Sequence, residues 1–387
     1  MSRVLVHLAT FLQGGAGRAV TELALAQQRA GAHVIVAASR TPAPGYEHYP
    51  EYLDRLGRAG VRLVLADSTF TRDTALNAVA LQAVRQAIAA RTPSLIHAHA
   101  GVPARLGLTL ASGLHDHVPV IQTVHGWSRH RTPAQLAEDV STLGDVAAVV
   151  FPSDAARRDV ERDGARPKAA HVVPYGLAPA PPIPALPAML TPALERQARG
   201  ARLLVTIGSL TAQKHQRALI DALPQVRQRH DVVAILVGEG PELEPLRARA
   251  EELGVAPHVV FTDYLPEAAS VLRIADLLVQ PSTTETFGLA VVEAFRADVP
   301  VVANDIPALR ELVAGYGAGW LFDAETPGSL AEVLDESLSA PPGTRAGLVA
   351  LGRRAFEAHF TLHRMMAGYE GVYAAVERGQ TWVVGSG

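Results

Sequence analysis

Pro281-Ser282-Thr283-Thr284-Glu285-Thr286-Phe287-Gly288-Leu289-Ala290-Val291-Val292-Glu293 sets two carboxylates on either side of a glycine turn and a short apolar run. Its first half, with Pro, Ser, three Thr and a closing Gly, has the composition of a loop. From Leu289 to Arg296 the pattern turns helical, so the stretch predicts a helix that opens directly out of that loop. A helix start offers unpaired N–H groups and a partial positive charge, and so suits an anion. Glu285 falls just outside this mouth. Glu293 falls inside it, ~6 Å along the axis from Leu289 at 1.5 Å per residue. A phosphate at the mouth would have a carboxylate on each side, each able to accept from sugar hydroxyls. For either glutamate alone, a surface loop or a solvated helix residue is the bland alternative.

Outward from this segment, apolar runs alternate with helix-length segments, which predicts parallel sheets built from strand–helix–strand units. In the first half the expected strands are Val4–Ala9, Val34–Ala38, Arg62–Leu65, Leu95–Ala98, Val120–Thr123, Ala148–Phe151 and Ala170–Val173. Helices such as Arg18–Ala30 and Ala75–Ala90 fall between them. The proline run Pro179–Pro187 cannot be a helix interior or a central strand and reads as a linker. A second series follows, with strands at Leu203–Ile207, Val232–Val237, Val259–Phe261, Leu277–Gln280 and Val299–Ala303. Arg345 to Arg378 reads as helix interrupted near His359–Thr361. At 387 residues the chain is long for one domain and comfortable for two.

Composition narrows the function classes. With 48% apolar and 19% charged residues the chain is soluble and globular. The absence of cysteine excludes disulfides and thiolate metal sites. No apolar run is long enough to cross a membrane, and Met1–Leu8 lacks the core and cleavage site of a signal peptide, so the expected location is the cytoplasm. Residues 1–178 carry 18 Lys+Arg against 14 Asp+Glu, and the remainder 17 against 24. The mildly basic first half fits an acidic acceptor or the inner face of a membrane, and equally an ordinary fluctuation in surface charge. No basic run interleaved with aromatics suggests nucleic acid. Arginine supplies almost all the cations, and lysine occurs only at 168 and 214.

Glu285 and Glu293, separated by seven residues in this setting, resemble the Glu-x7-Glu motif of the retaining glycosyltransferases of family 4. Ile274–Ser282 resembles the family's lead-in to that motif, and Pro300–Asp305 what usually follows. The resemblance runs in order along nearly the whole chain. It implies an α/β chain of the GT-B fold, in which two Rossmann-like parallel-sheet domains face across a cleft. An acceptor domain would span 1–178, with residues from about 361 to 387 returning to it. A linker at 179–198 and a nucleotide-sugar-binding domain at 199–360 complete the division.

Other segments carry the resemblance residue by residue. Gly14-Gly15-Ala16-Gly17-Arg18 sits where the family's glycine loop faces the donor diphosphate, which singles out Gly15 and Gly17; a tight turn explains these glycines about as well. Gly208-Ser209-Leu210-Thr211-Ala212-Gln213-Lys214-His215 stands where the family usually reads Gly-Arg-Leu-x-x-x-Lys-Gly. Lys214 fits as a point charge for phosphate oxygens. Ser209 replaces the arginine and His215 the glycine. His125, after the strand Val120–Val124, sits where a family histidine faces the donor sugar and acceptor; His97 and His99 also follow a strand. Gly238-Glu239-Gly240-Pro241 matches a turn bordering the nucleotide, and Tyr264 with Leu265 the stretch beside the base. Pro174-Tyr175-Gly176-Leu177 departs from the usual Pro-Asn-Gly sequence.

These carry-overs imply transfer of a sugar, with retention and without a metal, from a nucleotide diphosphate sugar to a glycan, lipid-linked or small-molecule acceptor. Glu285, His125 and Lys214 are the expected catalytic residues. Gly15, Gly17, Ser209, Gly238, Tyr264, Leu265, Phe287, Gly288, Leu289 and Glu293 are expected to bind substrate together with Lys214 and Glu285. No Asp-x-Asp is placed to hold a divalent cation, and no cofactor beyond the donor is implied. An epimerase or hydrolase acting on sugar nucleotides, or a donor-binding subunit without turnover, are the alternative readings.

Overall fold

A computed structural model of the chain describes residues 3–40, 47–67, 72–114, 117–127, 131–180 and 186–379. The chain forms two compact units, Met1–Gly176 with Leu362–Gly387, and Leu177–Thr361. The first is built on seven strands: β1 (Val4–Leu8), β2 (His33–Ser39), β3 (Arg62–Ala66), β4 (Leu95–Ala98), β5 (Val120–Thr123), β6 (Ala148–Phe151) and β7 (Ala170–Val172). They lie in the order β3-β2-β1-β4-β5-β6-β7, every pair parallel. The second holds β8 (Arg202–Ile207), β9 (Val232–Val237), β10 (Val259–Phe261), β11 (Leu277–Gln280), β12 (Val301–Asn304) and β13 (Gly319–Phe322). Their order is β10-β9-β8-β11-β12-β13, again all parallel.

Helices cover both faces of such sheets, so central strands lose the apolar–polar alternation and become continuous apolar runs. Val232–Val237 is buried at all six positions, and Val4–Leu8 at all five. In both sheets the strand order reverses direction once, between β1 and β4 and between β8 and β11. Ligands of open α/β sheets bind at the carboxyl ends of strands flanking such a switch point.

The Leu289–Arg296 helix forms with the limits its sequence predicts. Three elements differ from the sequence reading. The first helix starts at Gly14 rather than Arg18, so the glycine cluster is its first turn. Residues 191–198, within the expected linker, form a short helix with Pro192 in its first turn, where proline is tolerated; residues 181–185 of the proline run lie outside the described residues. Strand β13 was not anticipated. It opens on a glycine at a sheet edge, and three of its four residues are only partly buried.

The C-terminal helices Pro342–His359 and Leu362–Glu377 are separated by Phe360 and Thr361, close to the expected interruption. The later helix belongs to the first unit and buries Tyr369 and Tyr373 there. The second unit begins and ends side by side: the Leu177 N–H donates to the Phe360 carbonyl at 2.8 Å, and Leu177 forms a bridge with Thr361. No described helix is long and apolar enough to cross a membrane.

Candidate active site

In the second unit, the residues singled out in the sequence gather at the carboxyl ends of β8, β9 and β11. Gly208 and Ser209 follow β8, and Gly238 follows β9. Gly238 has φ 142°, and a Cβ there would lie 2.1 Å from the Gly208 carbonyl oxygen. The two loops therefore touch backbone to backbone, which only glycine permits. The Gly238 N–H also donates to the Asp263 carbonyl at 3.1 Å, which joins this loop to half-buried Tyr264 and Leu265.

Lys214 ends a short 3-10 turn, Ala212–Lys214. Its Nζ lies 2.5 Å from Glu285 Oε1. The same oxygen accepts from Ser282 Oγ at 2.9 Å and from Gln280 Nε2 at 3.0 Å. The Thr283 N–H donates to the Gln213 carbonyl at 2.9 Å, so the two loops are also tied through main chain. The Lys214 and Glu285 side chains are 21% and 12% exposed. A charge pair at that depth is poorly screened and well oriented. Gln280 Oε1 is buried beside the pair without a partner among the described residues.

Gly288 caps the helix that follows. Its φ is 105°, it offers no side-chain cap, and a Cβ there would lie 2.7 Å from Leu309 Cδ2. The Val291 N–H donates back to the Gly288 carbonyl at 3.0 Å, and no side chain caps the helix start. Glu293, one turn in, is 6% exposed. Phe287 is buried and packs edge-on against Phe360, with ring centroids 5.9 Å apart, so its side chain belongs to the core. Gln280 and Ser282 were not among the expected site residues. They stand directly before Glu285 in the sequence, and that adjacency was the available signal.

His215, where the family pattern has glycine, adopts φ 52° in the left-handed region. Ser209 is exposed, and its carbonyl accepts from the Gln216 side chain at 3.0 Å.

The first unit holds Gly15, Gly17 and His125. Gly15 and Gly17 lie in the first turn of helix Gly14–Arg29, where the Gly17 N–H donates to the Gln13 carbonyl at 2.9 Å. His99 and His125 line a recess with Gln122, Trp127, Arg131 and Asp139. Both His125 nitrogens are engaged: Nε2 lies 2.9 Å from His99 Nδ1, and Nδ1 lies 2.5 Å from the Tyr175 hydroxyl. Tyr175, the residue that departs from the family pattern, is thus the partner of the expected histidine. Burial lowers the His125 pKa to about 4, so the ring is neutral near pH 7. His97 and His99 are shifted well below the usual range, chiefly by burial.

At the far wall of the recess, Asp139 is surrounded by guanidinium groups. Arg131 Nε stands at 2.8 Å, Arg72 Nη2 at 2.9 Å and Arg105 Nη1 at 3.3 Å. Arg131 also lies over the Trp127 ring at 4.1 Å. This cluster gave no sequence signal, because its members come from four separate segments.

Two family models match the chain: Glycosyltransferase Family 4 over residues 13–180, and Glycosyl transferases group 1 over residues 195–354. The D-inositol 3-phosphate glycosyltransferase of Jonesia denitrificans is 28% identical over 94% of each chain. The enzyme of that name from Segniliparus rotundus is 29% identical over 71% of this chain and 66% of its own length. Among solved structures, HepE of Anabaena in complex with UDP and glucose superimposes with a TM-score of 0.80 at 18% identity, covering 97% of this chain and 100% of its own. Sucrose-phosphate synthase of Thermosynechococcus elongatus gives 0.78 at 18% identity, over 98% of this chain and 100% of its own. With two Rossmann-like units, the GT-B fold and matching models over both halves, the chain belongs to the retaining glycosyltransferases of family 4.

Proposed function

We propose that the second unit holds a nucleoside diphosphate sugar at the carboxyl ends of β8, β9 and β11, and that an acceptor hydroxyl displaces the diphosphate with retention. The observation that carries this reading is the Lys214–Glu285 pair, 2.5 Å apart, beside the open mouth of helix Leu289–Arg296. The Gly288 and Leu289 amides and Lys214 take the phosphates, and Glu293 takes the ribose hydroxyls. Ser282, Gln280 and Lys214 converge on one oxygen of Glu285, which orients the other toward the donor sugar. The acceptor oxygen bonds to the anomeric carbon while the bond from that carbon to the diphosphate breaks. The acceptor proton passes to the departing diphosphate, whose charge Lys214 and the helix mouth stabilise. His125 contributes from the first unit.

No metal or further cofactor is assigned to this chemistry, so transfer is expected to persist in EDTA. Solved relatives of this fold hold UDP and UDP-glucose, which supports the donor class. The acceptor is a glycan, a lipid-linked molecule or a small molecule. The cytoplasm, with peripheral contact at the inner membrane face for a lipid-linked acceptor, is part of the same reading.

Calorimetry with a free nucleoside diphosphate tests the two carboxylates. Glu293→Gln loses charge-assisted bonds to ribose, worth ~1.5–3 kcal/mol each, and weakens binding by roughly one to two decades. Glu285→Gln leaves that binding nearly intact and lowers turnover instead. Equal loss of nucleotide affinity in both variants would overturn the placement.

A further inference from the structure

Beneath the recess of the first unit runs a closed set of hydrogen bonds. His125 Nε2 meets His99 Nδ1 at 2.9 Å, and His99 Nε2 meets His7 Nδ1 at 2.9 Å. His7 Nε2 meets Gln27 Oε1 at 2.7 Å. Gln27 Nε2 donates to the Tyr373 hydroxyl at 3.0 Å, which lies 2.8 Å from His97 Nδ1; His97 Nε2 lies 2.8 Å from Thr123 Oγ1. With the Tyr175 contact to His125, all eight nitrogens of the four rings are partnered. Gln27, His7 and His97 are essentially unexposed.

Each neutral imidazole has one donor and one acceptor nitrogen, so a single fixed end determines the whole chain. A carbonyl oxygen only accepts. Gln27 Oε1 therefore makes His7 an Nε2–H tautomer, whose Nδ1 must accept from His99 Nε2–H. By the same step His99 Nδ1 accepts from His125 Nε2–H, and His125 Nδ1 accepts from Tyr175. On the other side, Tyr373 accepts from Gln27, and His97 Nδ1 is the one acceptor within reach of its O–H among the described residues, which makes His97 Nε2–H as well. Turning the Gln27 amide over would reverse every one of these bonds and place all four rings in the Nδ1–H form. The orientation shown gives all four the intrinsically favoured tautomer of a neutral histidine.

We propose that Gln27 is a positioning residue that sets the hydrogen-bond polarity of His125 at the recess. An amide cannot pass a proton on, so the chain ends there and acts as a lock, not a conduit. Its consequence is directional: a hydroxyl that replaces Tyr175 at His125 Nδ1 meets a lone pair, and must donate. This consequence for transfer rests on the role given to His125 above; the tautomer pattern stands without it. Neutrality of all four rings follows from burial, which lowers His7 and His125 to about 4. His7, His97 and His99 also bring ligand atoms within 4.8 Å of one another, a spacing that a metal ion could use. A cation there would have to take a nitrogen from a set of bonds already complete.

The test is the nitrogen-15 spectrum of histidine-labelled protein, whose long-range couplings separate the two tautomers. The wild-type chain is expected to show His7, His97, His99 and His125 all as Nε2–H. Gln27→Glu accepts from both sides, so His97 alone should switch to Nδ1–H while His7, His99 and His125 stay. Gln27→Met removes the fixed end, and His125 should become a mixture of tautomers. Should neither variant fold, the wild-type spectrum and that of Tyr373→Phe, which spares the His7–His99–His125 arm, still decide. Finding His7, His99 or His125 as Nδ1–H in the wild-type chain would overturn the proposal, as would stoichiometric zinc in the purified protein. In transfer assays Gln27→Met should lower kcat several-fold with little change in donor KM, and Gln27→Glu should recover most of that loss. Normal tautomers with no transfer by the wild-type chain would count against the functional reading alone.

Discussion

Two helices occupy the same place in two sheets of like topology, and they treat their open ends oppositely. After β4 comes helix Gly101–Ser112; after β11 comes helix Leu289–Arg296; neither has a side-chain cap. At the first, the chain supplies its own anion: a Cβ on Gly101 would lie 2.5 Å from Asp139 Oδ1, and three arginines surround that carboxylate. At the second, Glu285 is held on the preceding loop and bound to Lys214, so a paired cation stands beside the mouth. A switch point marks both positions as places where a ligand can bind. Which one is left open for an anion is decided by loop residues that topology does not specify.

Removing the cation from the open mouth is the most direct way to break this contrast. Lys214→Met should reduce kcat by about 10²–10³, the cost of losing one preorganised charge-stabilising group. Retention of wild-type turnover in steady-state assays would mean the diphosphate is neutralised elsewhere.

Acid separates the units next. His7 and His125 have native pKa values of about 4 against an unfolded value near 6.5. Between those values the unfolded chain binds protons that the native chain refuses, so stability is intact above about pH 6.5 and falls as pH drops toward 4. From pH 7 to 5.5 these two rings cost the first unit about 2–3 kcal/mol, while the second unit has no fully buried histidine network among its described residues. Hydrogen exchange at the two pH values should show β1, β4 and β5 losing protection before β8 and β11. Equal loss in both units would refute the account.

Asp139→Ala tests the closed mouth. The arginines are 18–30% exposed, so the expected cost is about 2 kcal/mol, below the 3–5 typical of a fully buried pair. The vacated mouth, ringed by guanidiniums, should then bind sulfate, and the melting temperature should rise with sulfate more steeply than in the wild-type chain. Identical sulfate dependence would show that Asp139 does not plug an anion site.

The smallest effect lies beside Lys214. His215 at φ 52° is strained by about 1–2 kcal/mol relative to an unstrained backbone, and glycine would relieve it. Glycine also gains more entropy on unfolding, which offsets part of this. Chemical denaturation of His215→Gly should show a stabilisation below about 1 kcal/mol; destabilisation would mean that the imidazole makes a compensating contact.

The open mouth was legible because its parts are local. Glu285, Gly288, Leu289 and Glu293 fall within nine residues, and their spacing already describes a loop entering a helix. Lys214 stood out in a chain with two lysines. Phe287 shows what such reading leaves open: adjacency to a motif does not say which way a side chain points, and this one packs on Phe360 while its main chain adjoins Gly288. The first unit offered less. His7, Gln27, His97, His99, His125, Tyr175 and Tyr373 come from strands, loops and helices far apart in sequence, and only parallel pairing and the returning C-terminal helix bring them together. Strand β13 escaped notice because it is only four residues long and opens on a glycine, which weakens the strand pattern.

The adjacent ends of the second unit have a consequence for how this chain can be cut and rejoined. Because Leu177 and Thr361 pair directly, the whole second unit is topologically an insert in the sequence of the first. Segments whose termini meet tolerate excision and circularisation. The stretch 177–361 can therefore be made as a single gene fragment, and a short linker from Gly176 to Leu362 would close the remainder. Grafting the insert between relatives would then show whether donor preference travels with it, while the histidine network of the host stays whole.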